Sequence, residues 1–409
     1  MKIALVHDYL KEYGGAERVL EVLHEMWPEA PLYTSFVDWP SFAKAPEGKV
    51  EYFKSWDIRT SWVQKHYLVK KYISPLRFLA PRIWGSFDLS DYDLVISSSG
   101  WFMCRGIGMP KPKAKSQKPK FLHISYIHHP PRNLYGYATG SSLQKYWPVR
   151  AYASIINFFL RHYDYETAQS VDYFIANSKE TARRVEKFYR RESTVIYPPI
   201  ETNSKFEILN SKQIRNSKFE KSKQDSEIHE RKYFLSVGRL SWAKRVDLII
   251  QACNELKLPL KVVGTGKEEK YLKSIAGKTI EFMGSVSDEE LAKLYSGAKA
   301  LVFTALDEDF GMVPVEAMSY GTPVIALAQG GVLETVVDGN PSAGSGQATG
   351  VFFDKPEVKD LVKALKKFEA NIDKKNYYAN CINQAEKFSK VRFKREIKKF
   401  VESKLKERI

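Results

Sequence analysis

The stretch that decides the fold is Tyr233-Phe234-Leu235-Ser236-Val237-Gly238-Arg239-Leu240-Ser241-Trp242-Ala243-Lys244-Arg245, followed by Val246 to Leu256. Its first residues, aromatic, aliphatic and β-branched, read as a buried strand that the glycine ends. From Val246 the apolar residues recur at three- and four-residue intervals, the period of a helix. Strand, glycine turn and helix in that order open a βαβ unit. Working outward, the alternation repeats. Strand-like runs lie at Leu260–Val263, Ile280–Met283, Ala300–Thr304 and Pro323–Leu327, with helical patterns between them such as Asp288 to Tyr295 and Val313 to Tyr320. Toward the amino end, Lys2–His7, Asp93–Ser97, Phe121–Ile127 and Tyr173–Ala176 read as strands of a second such array, with an amphipathic helix from Ala16 to Met26. The expected fold is therefore α/β, with two Rossmann-like, doubly wound domains that bind ligands at the carboxyl ends of their strands.

A length of 409 residues suits two domains of about 200 residues each. Tyr197-Pro198-Pro199-Ile200 interrupts regular structure, and the stretch beyond it is polar, lysine-rich and carries Asn-Ser-Lys-Phe-Glu twice. The predicted boundaries are a first domain at 1–200, a polar insertion at 201–232 and a second domain at 233–375. Basic helices at 376–409 are expected to pack back on the first domain. Asn340–Thr349, rich in glycine and serine, reads as a smaller insertion.

Composition narrows the class. Apolar residues make up 44% and charged residues 27%, a globular balance that excludes global disorder. No apolar run approaches the roughly 18 residues of a membrane span. The opening run at Ile3–Val6 is too short for a secretory signal, which makes the cytoplasm the expected compartment. Three scattered cysteines suggest neither a disulfide framework nor a metal site. A net charge of +16 points to an anionic partner, whether nucleic acid, phosphorylated substrate or lipid headgroup.

Four elements carry chemistry. In Asp307-Glu308-Asp309-Phe310-Gly311-Met312-Val313-Pro314-Val315-Glu316, a loop leads from a strand into a helix whose free amides suit a phosphate or a sugar hydroxyl. Glu308 in the loop and Glu316 in the helix can face one ligand. Gly238-Arg239 with Lys244 places two cations between strand and helix, as a diphosphate clamp requires. Gly14-Gly15 makes a close turn after the first strand but lacks the spacing of a dinucleotide site. Tyr126-Ile127-His128-His129-Pro130-Pro131-Arg132 puts imidazoles and a guanidinium at a strand's carboxyl end. Each taken alone also fits an ordinary cap, turn or basic loop.

Together, in this order and with Gly330-Gly331-Val332-Leu333-Glu334-Thr335 and Gly350 downstream, they resemble glycosyltransferase family 4, the retaining transferases of GT-B architecture. The opening His7-Asp8 and Gly14-Gly15-Ala16-Glu17-Arg18-Val19 are most similar to bacterial mannosyltransferases of polysaccharide and O-antigen assembly. The resemblance implies two domains facing across a cleft, and transfer of a hexose, best guessed as mannose from GDP-mannose, to a glycan or polyprenyl-diphosphate-linked glycan. A UDP-sugar donor, a GT-B nucleotide-sugar epimerase and a basic nucleic-acid-binding protein are the alternatives. It implies that Arg239 and Lys244 neutralise the donor diphosphate, and that Glu308 holds sugar hydroxyls beside the backbone of Phe310, Gly311, Met312 and Val313. Glu316 would hold the ribose, and His128 would stand beside the anomeric centre. Gly14, Gly15 and Arg132 would lie on the acceptor side. His129 leaves open which imidazole acts, and Asp309 stands where glycine is commoner. Asp307-Glu308-Asp309 has the form of a metal-binding Asp-x-Asp triplet, but the resemblance implies no metal, no cofactor and no nucleic acid.

Thirty positions from Ile58 to Phe87 carry no acidic residue. They interleave Arg59, Lys65, Lys70, Lys71, Arg77 and Arg82 with Trp62, Tyr67, Tyr72, Phe78 and Trp84. This basic, aromatic segment, with Lys111–Lys120 as a further source of charge, predicts peripheral attachment to the inner face of an anionic membrane.

Overall fold

The computed structural model describes residues 1–42, 48–108, 121–138, 146–200, 231–339, 347–370 and 374–408. Nearly all of the 201–232 insertion, most of Asn340–Thr349 and the lysine-rich Lys111–Lys120 loop lie outside the described residues. The chain forms two compact units, Met1–Pro199 with Phe393–Ile409, and Ile200–Arg392.

The first unit is built on seven parallel strands: β1 (Ile3–His7), β2 (Leu32–Thr34), β3 (Ile58–Thr60), β4 (Leu94–Ser99), β5 (Leu122–Ile127), β6 (Tyr173–Ala176) and β7 (Thr194–Val195). They lie in the order β3-β2-β1-β4-β5-β6-β7. Side chains alternate between two buried faces. Leu5, Ile96 and Ile124 enter one core, which helix α1 (Gly15–Met26) covers, while Ala4, Val6 and Val95 enter the other. The 24-residue helix α2 (Trp147–Ser170) sends Leu160 into the second core. Such two-sided burial is what parallel sheets require.

The second unit repeats the plan with six parallel strands: β8 (Tyr233–Val237), β9 (Leu260–Val263), β10 (Ile280–Gly284), β11 (Ala298–Phe303), β12 (Val324–Leu327) and β13 (Gly350–Phe353), ordered β10-β9-β8-β11-β12-β13. Helix α3 (Val246–Leu256) packs Leu248, Ile249, Ala252 and Cys253 on one face of the sheet. Helix α4 (Met312–Ser319) follows β11. In both sheets the order reverses between two central neighbours, β1 and β4 in one, β8 and β11 in the other. The carboxyl ends of such a pair form a ready-made crevice.

The sequence assigned all of 376–409 to the first domain, whereas the structure divides it. Helix Lys374–Glu386 stays with the second unit, where the Gln384 amide donates to the Thr335 carbonyl at 2.9 Å and Cys381 is buried. Helix α5 (Lys390–Lys406) joins the first unit from Phe393 onward, and Phe393, Ile397 and Val401, four apart on one face, complete the core beside α1. The basic segment Ile58–Phe87 is not one continuous element. It breaks into a turn at Trp62–Lys65, a helix at Tyr67–Lys71, a turn at Arg77–Leu79 and a helix at Ala80–Trp84. Pro75 and Pro81 interrupt any longer helix by lacking an amide hydrogen. Trp84, expected at the surface, is fully buried and donates its indole hydrogen to the Phe102 carbonyl at 2.7 Å.

Candidate functional site

At the switch point of the second sheet, Gly238 follows β8 directly and Arg239 stands exposed after it. The backbone here is held flush against a second loop: a Cβ on Gly264 would sit 2.0 Å from the Gly238 carbonyl oxygen, so no other residue fits. The chain then makes a tight turn at Trp242–Lys244 before α3. The Thr304 hydroxyl at the end of β11 ties that turn down, bonding the carbonyls of Lys244 and Arg245 at 2.8 and 2.9 Å. The Leu306 amide reaches the Ala243 carbonyl at 2.8 Å. Arg239 and Lys244 thus line one small crevice with Gly238 and Thr304.

Lys244 and Glu308 meet. The Lys244 ammonium donates to Glu308 Oε2 at 2.6 Å, both side chains being largely withdrawn from solvent. The Glu308 loop is fixed from behind as the Gly238 loop is, since a Cβ on Gly330 would lie 2.3 Å from the Glu308 carbonyl oxygen. Gly331 donates its amide to that carbonyl at 2.9 Å. Gly311, at φ +87°, turns the chain into α4, and the Glu308 stem passes beside it. Phe310 is buried and packs edge-on to Phe388, and its neighbour Asp309 is buried as well. Met312 and Val313, half-buried, open α4, and Pro314 sits in the first turn, where its missing hydrogen costs no helical bond. Glu316, one turn on, accepts from the Tyr295 hydroxyl at 3.3 Å. Within the triplet Asp307-Glu308-Asp309 the surroundings differ: Asp307 accepts from Gln329 at 3.3 Å, Glu308 meets Lys244, and Asp309 is buried.

The first sheet's switch point holds a different arrangement. His7, the last residue of β1, lies beside Ser98 of β4 in register. The Ser98 hydroxyl stands between two imidazoles, 3.1 Å from His7 Nδ1 and 2.8 Å from His128 Nε2. On its other side, His7 Nε2 is 3.4 Å from Glu17 Oε1 on α1. If both rings are neutral, one pattern satisfies every group. Glu17 accepts from His7 Nε2–H, His7 Nδ1 accepts from the Ser98 hydroxyl, and Ser98 accepts from His128 Nε2–H. That leaves His128 Nδ1 with a lone pair. Burial, reinforced by His7 and His129 nearby, holds the His128 pKa well below the ordinary imidazole range, so the ring is neutral.

Sequence reasoning missed Ser98, His7 and Glu17 as site members. The signal was Ser97-Ser98-Ser99, hydroxyls at the carboxyl end of a strand beside the first one. Gly14 and Gly15 begin α1 as expected, but Glu17 reaches back to the Gly14 amide at 2.8 Å, so that amide serves the helix cap. His129 turns its Nδ1 to the Pro130 carbonyl at 3.0 Å, and Arg132 opens the short turn Arg132–Leu134. Asp8, next to His7, binds the loop after β4 by accepting from the amides of Gly100, Phe102 and Cys104 at 2.9 to 3.0 Å.

Two family models match this chain in succession. Glycosyltransferase Family 4 matches residues 13–204, and Glycosyl transferases group 1 matches residues 217–388. The chain belongs to glycosyltransferase family 4. Among relatives of this family-4 chain is an uncharacterized glycosyltransferase of Methanocaldococcus jannaschii, 32% identical over 26% of the chain and 30% of the relative. The chain thus spans about a third of that protein's length. The alpha-1,3/1,6-mannosyltransferase ALG2 of Candida glabrata is 25% identical over 82% of the chain and 78% of its own length. The fold is that of Anabaena HepE, solved in complex with UDP and glucose, at a TM-score of 0.64 and 19% identity, covering 98% of this chain and all of that one.

Proposed function

We propose that this protein transfers a hexose from a nucleoside-diphosphate sugar to a hydroxyl of a glycan or lipid-linked glycan, retaining anomeric configuration. The observation that carries this reading is the Gly238–Arg239 loop with the Lys244–Glu308 pair at the second switch point. Arg239 can fork two phosphate oxygens, and Lys244 adds a compact charge. A diphosphate arriving there competes with Glu308 for Lys244 and frees the carboxylate to accept from sugar hydroxyls. As the bond from the anomeric carbon to the phosphate oxygen breaks, charge grows on the diphosphate, and both cations and the α4 amides stabilise it. The acceptor oxygen bonds the anomeric carbon on the same face, and its proton passes to the leaving phosphate. The two cations take the electrostatic part that a metal plays in other transferases, so we propose metal-independent chemistry without a cofactor. His128 and Glu316 keep the proposed roles of facing the sugar and holding the ribose.

Mannose from GDP-mannose is the proposed donor, supported by the sequence resemblance and by the mannosyltransferase relative. The proposed acceptor is lipid-linked, which places the enzyme at the cytoplasmic surface of an anionic membrane. Among the described residues no helix is long and apolar enough to cross one. A donor panel tests the reading. GDP-mannose should be turned over in excess chelator, with the product's anomeric proton retaining the donor's configuration by NMR. Turnover only on adding manganese would overturn metal independence. Sugar release with epimerised nucleotide sugar and no acceptor would indicate an epimerase. Thermal stabilisation by random oligonucleotide and by neither GDP nor UDP would indicate a nucleic-acid-binding protein.

A further inference from the structure

Helix α2 is apolar on two opposite sides. Its inner side is firmly held. Leu160 lies in the core, and Asp164 is fully buried in an ion pair with Arg105 while accepting from the Tyr135 hydroxyl at 2.7 Å. Its outer side should by the usual rule be polar, because a surface helix carries one apolar stripe. Instead Trp147, Ile155, Phe158 and Phe159 are 72, 61, 66 and 65% exposed. Their spacing of eight, three and one sets them on one face, with Ala151 and His162 between.

This face does not end at the helix. The Tyr152 hydroxyl donates to the Pro75 carbonyl at 2.5 Å, and Arg77 donates to Asn157 Oδ1 at 2.7 Å. Those bonds tie α2 to the loop at Pro75 and the turn at Arg77–Leu79, which follow the short helix Tyr67–Lys71, whose Tyr67 and Leu68 are 68 and 65% exposed. Exposed Lys65 and Lys71 border it, and Arg150 and Arg161 stand exposed on α2 itself. From Tyr146 to Tyr163 and from Ile58 to Phe87 there is no acidic residue. Glu166, beside His162 at 3.1 Å, marks the far end of the face. Large contiguous apolar patches on a surface mark an interaction site.

We propose that the outer face of α2, with the Tyr67–Lys71 helix beside it, is a docking surface that seats its apolar side chains among the acyl chains of an anionic bilayer. Charge selects this occupant over a second copy of the chain. A two-fold pair would bring each face's lysines and arginines against their own counterparts with no carboxylate between them. Lysine is also depleted in protein interfaces, whereas aromatic rings flanked by lysine and arginine suit a headgroup boundary. The proposal rests on the reading that the acceptor is membrane-borne, and it changes what that reading expects. Attachment by charge alone would be released by salt, whereas seated phenylalanines hold on.

Vesicle flotation of the full chain tests this, with phosphatidylcholine alone and mixed equally with phosphatidylglycerol. Wild type should float with the mixed vesicles and largely stay with them at roughly 0.5 M salt, where the Debye length is about 4 Å. Phe158→Ser with Phe159→Ser should lower partitioning at least about tenfold at both salt levels, since two large apolar side chains leave the bilayer. Lys65→Glu with Lys71→Glu should lower it chiefly at low salt. Quenching of Trp147 by brominated lipid, read as the difference from Trp147→Phe, places that ring at the acyl boundary. Equal flotation of wild type and the phenylalanine variant would overturn the proposal. So would self-association in sedimentation that this variant abolishes, with no flotation of wild type. Turnover of a donor with a soluble acceptor should be unchanged in every variant, so its absence in wild type would sink the proposed reaction and leave the docking surface standing.

Discussion

The carboxyl ends of the two sheets are built to one plan and equipped for opposite tasks. At β8 and β11 the chain supplies charge at and just below the surface: exposed Arg239, then the more withdrawn Lys244 balanced by Glu308, on loops pressed against glycine. At β1 and β4 it supplies a buried imidazole–hydroxyl–imidazole relay ended by one carboxylate. In the proposed reaction the first arrangement receives the anionic diphosphate. The second is a fixed set of lone pairs and hydrogens, suited to orienting a neutral hydroxyl. Equal topology therefore does not mean equal chemistry, and substitutions should divide accordingly between turnover and stability.

The largest expected effect falls on the charged site. Arg239→Ala with Lys244→Ala should lower turnover by about three orders of magnitude or more, roughly 2 kcal/mol for each charge-assisted partner of the leaving group. Urea unfolding should hardly change, and near-normal turnover would mean that these cations are only a basic loop. Glu308→Gln comes next. It should reduce turnover by about 1.5–3 kcal/mol, the usual range for a hydrogen bond to a charged group, whereas Glu316→Gln should act mainly on the donor's KM. Equal, small losses from both would assign these carboxylates to the fold.

On the relay side the readout moves to stability. Ser98→Ala leaves two buried imidazole nitrogens facing nothing, and should cost about 1–3 kcal/mol in denaturant unfolding. Unchanged stability would mean that the relay is not formed. The smallest effect is graded with pH. Burial, reinforced by the Arg105 charge, lowers the pKa of His123 to about 3, and that of His128 is depressed as well. The unfolded chain takes up these protons near pH 6.5 and the native one does not, so stability should fall as pH drops below that value. Each histidine contributes about 1.4 kcal/mol per pH unit. His123→Asn should reduce the slope between pH 6 and 4.5 by up to about 1.4 kcal/mol per pH unit, and an unaltered slope would place the acid sensitivity elsewhere.

Much of this was legible beforehand, for reasons that differ along the chain. Strands β6, β8 and β9 are apolar runs cut off by glycine or polar residues, so their limits could be read residue by residue. Strands β2, β3 and β7 span three residues or fewer, too short for a period to show. Helix α2 escaped because apolar residues on both sides blur the stripe that marks a surface helix. Arg239, Lys244 and Glu308 announce themselves through residue type, as cations and an acid beside glycine. Ser98 and Glu17 do not, because a serine at a strand end and a glutamate in a first helical turn have ordinary uses. The pairing of β1 with β4 brings Ser98 to His7, that of β4 with β5 brings it to His128, and the turn into α1 returns Glu17 to His7.

Helix α5 carries a consequence for how the protein is made. Phe393, Ile397 and Val401, nearly inaccessible to solvent in the finished molecule, close the core against α1 and Tyr126, yet they are translated only after the whole second unit. The amino-terminal unit therefore leaves the ribosome with an open apolar seam, and must wait while its neighbour is synthesised. A message truncated shortly before Phe393 yields a second unit that still has its sheet, beside a first unit that cannot close. Such a product leaves apolar surface open to chaperones and proteases, so this seventeen-residue helix makes completion of the first core depend on synthesis of both units.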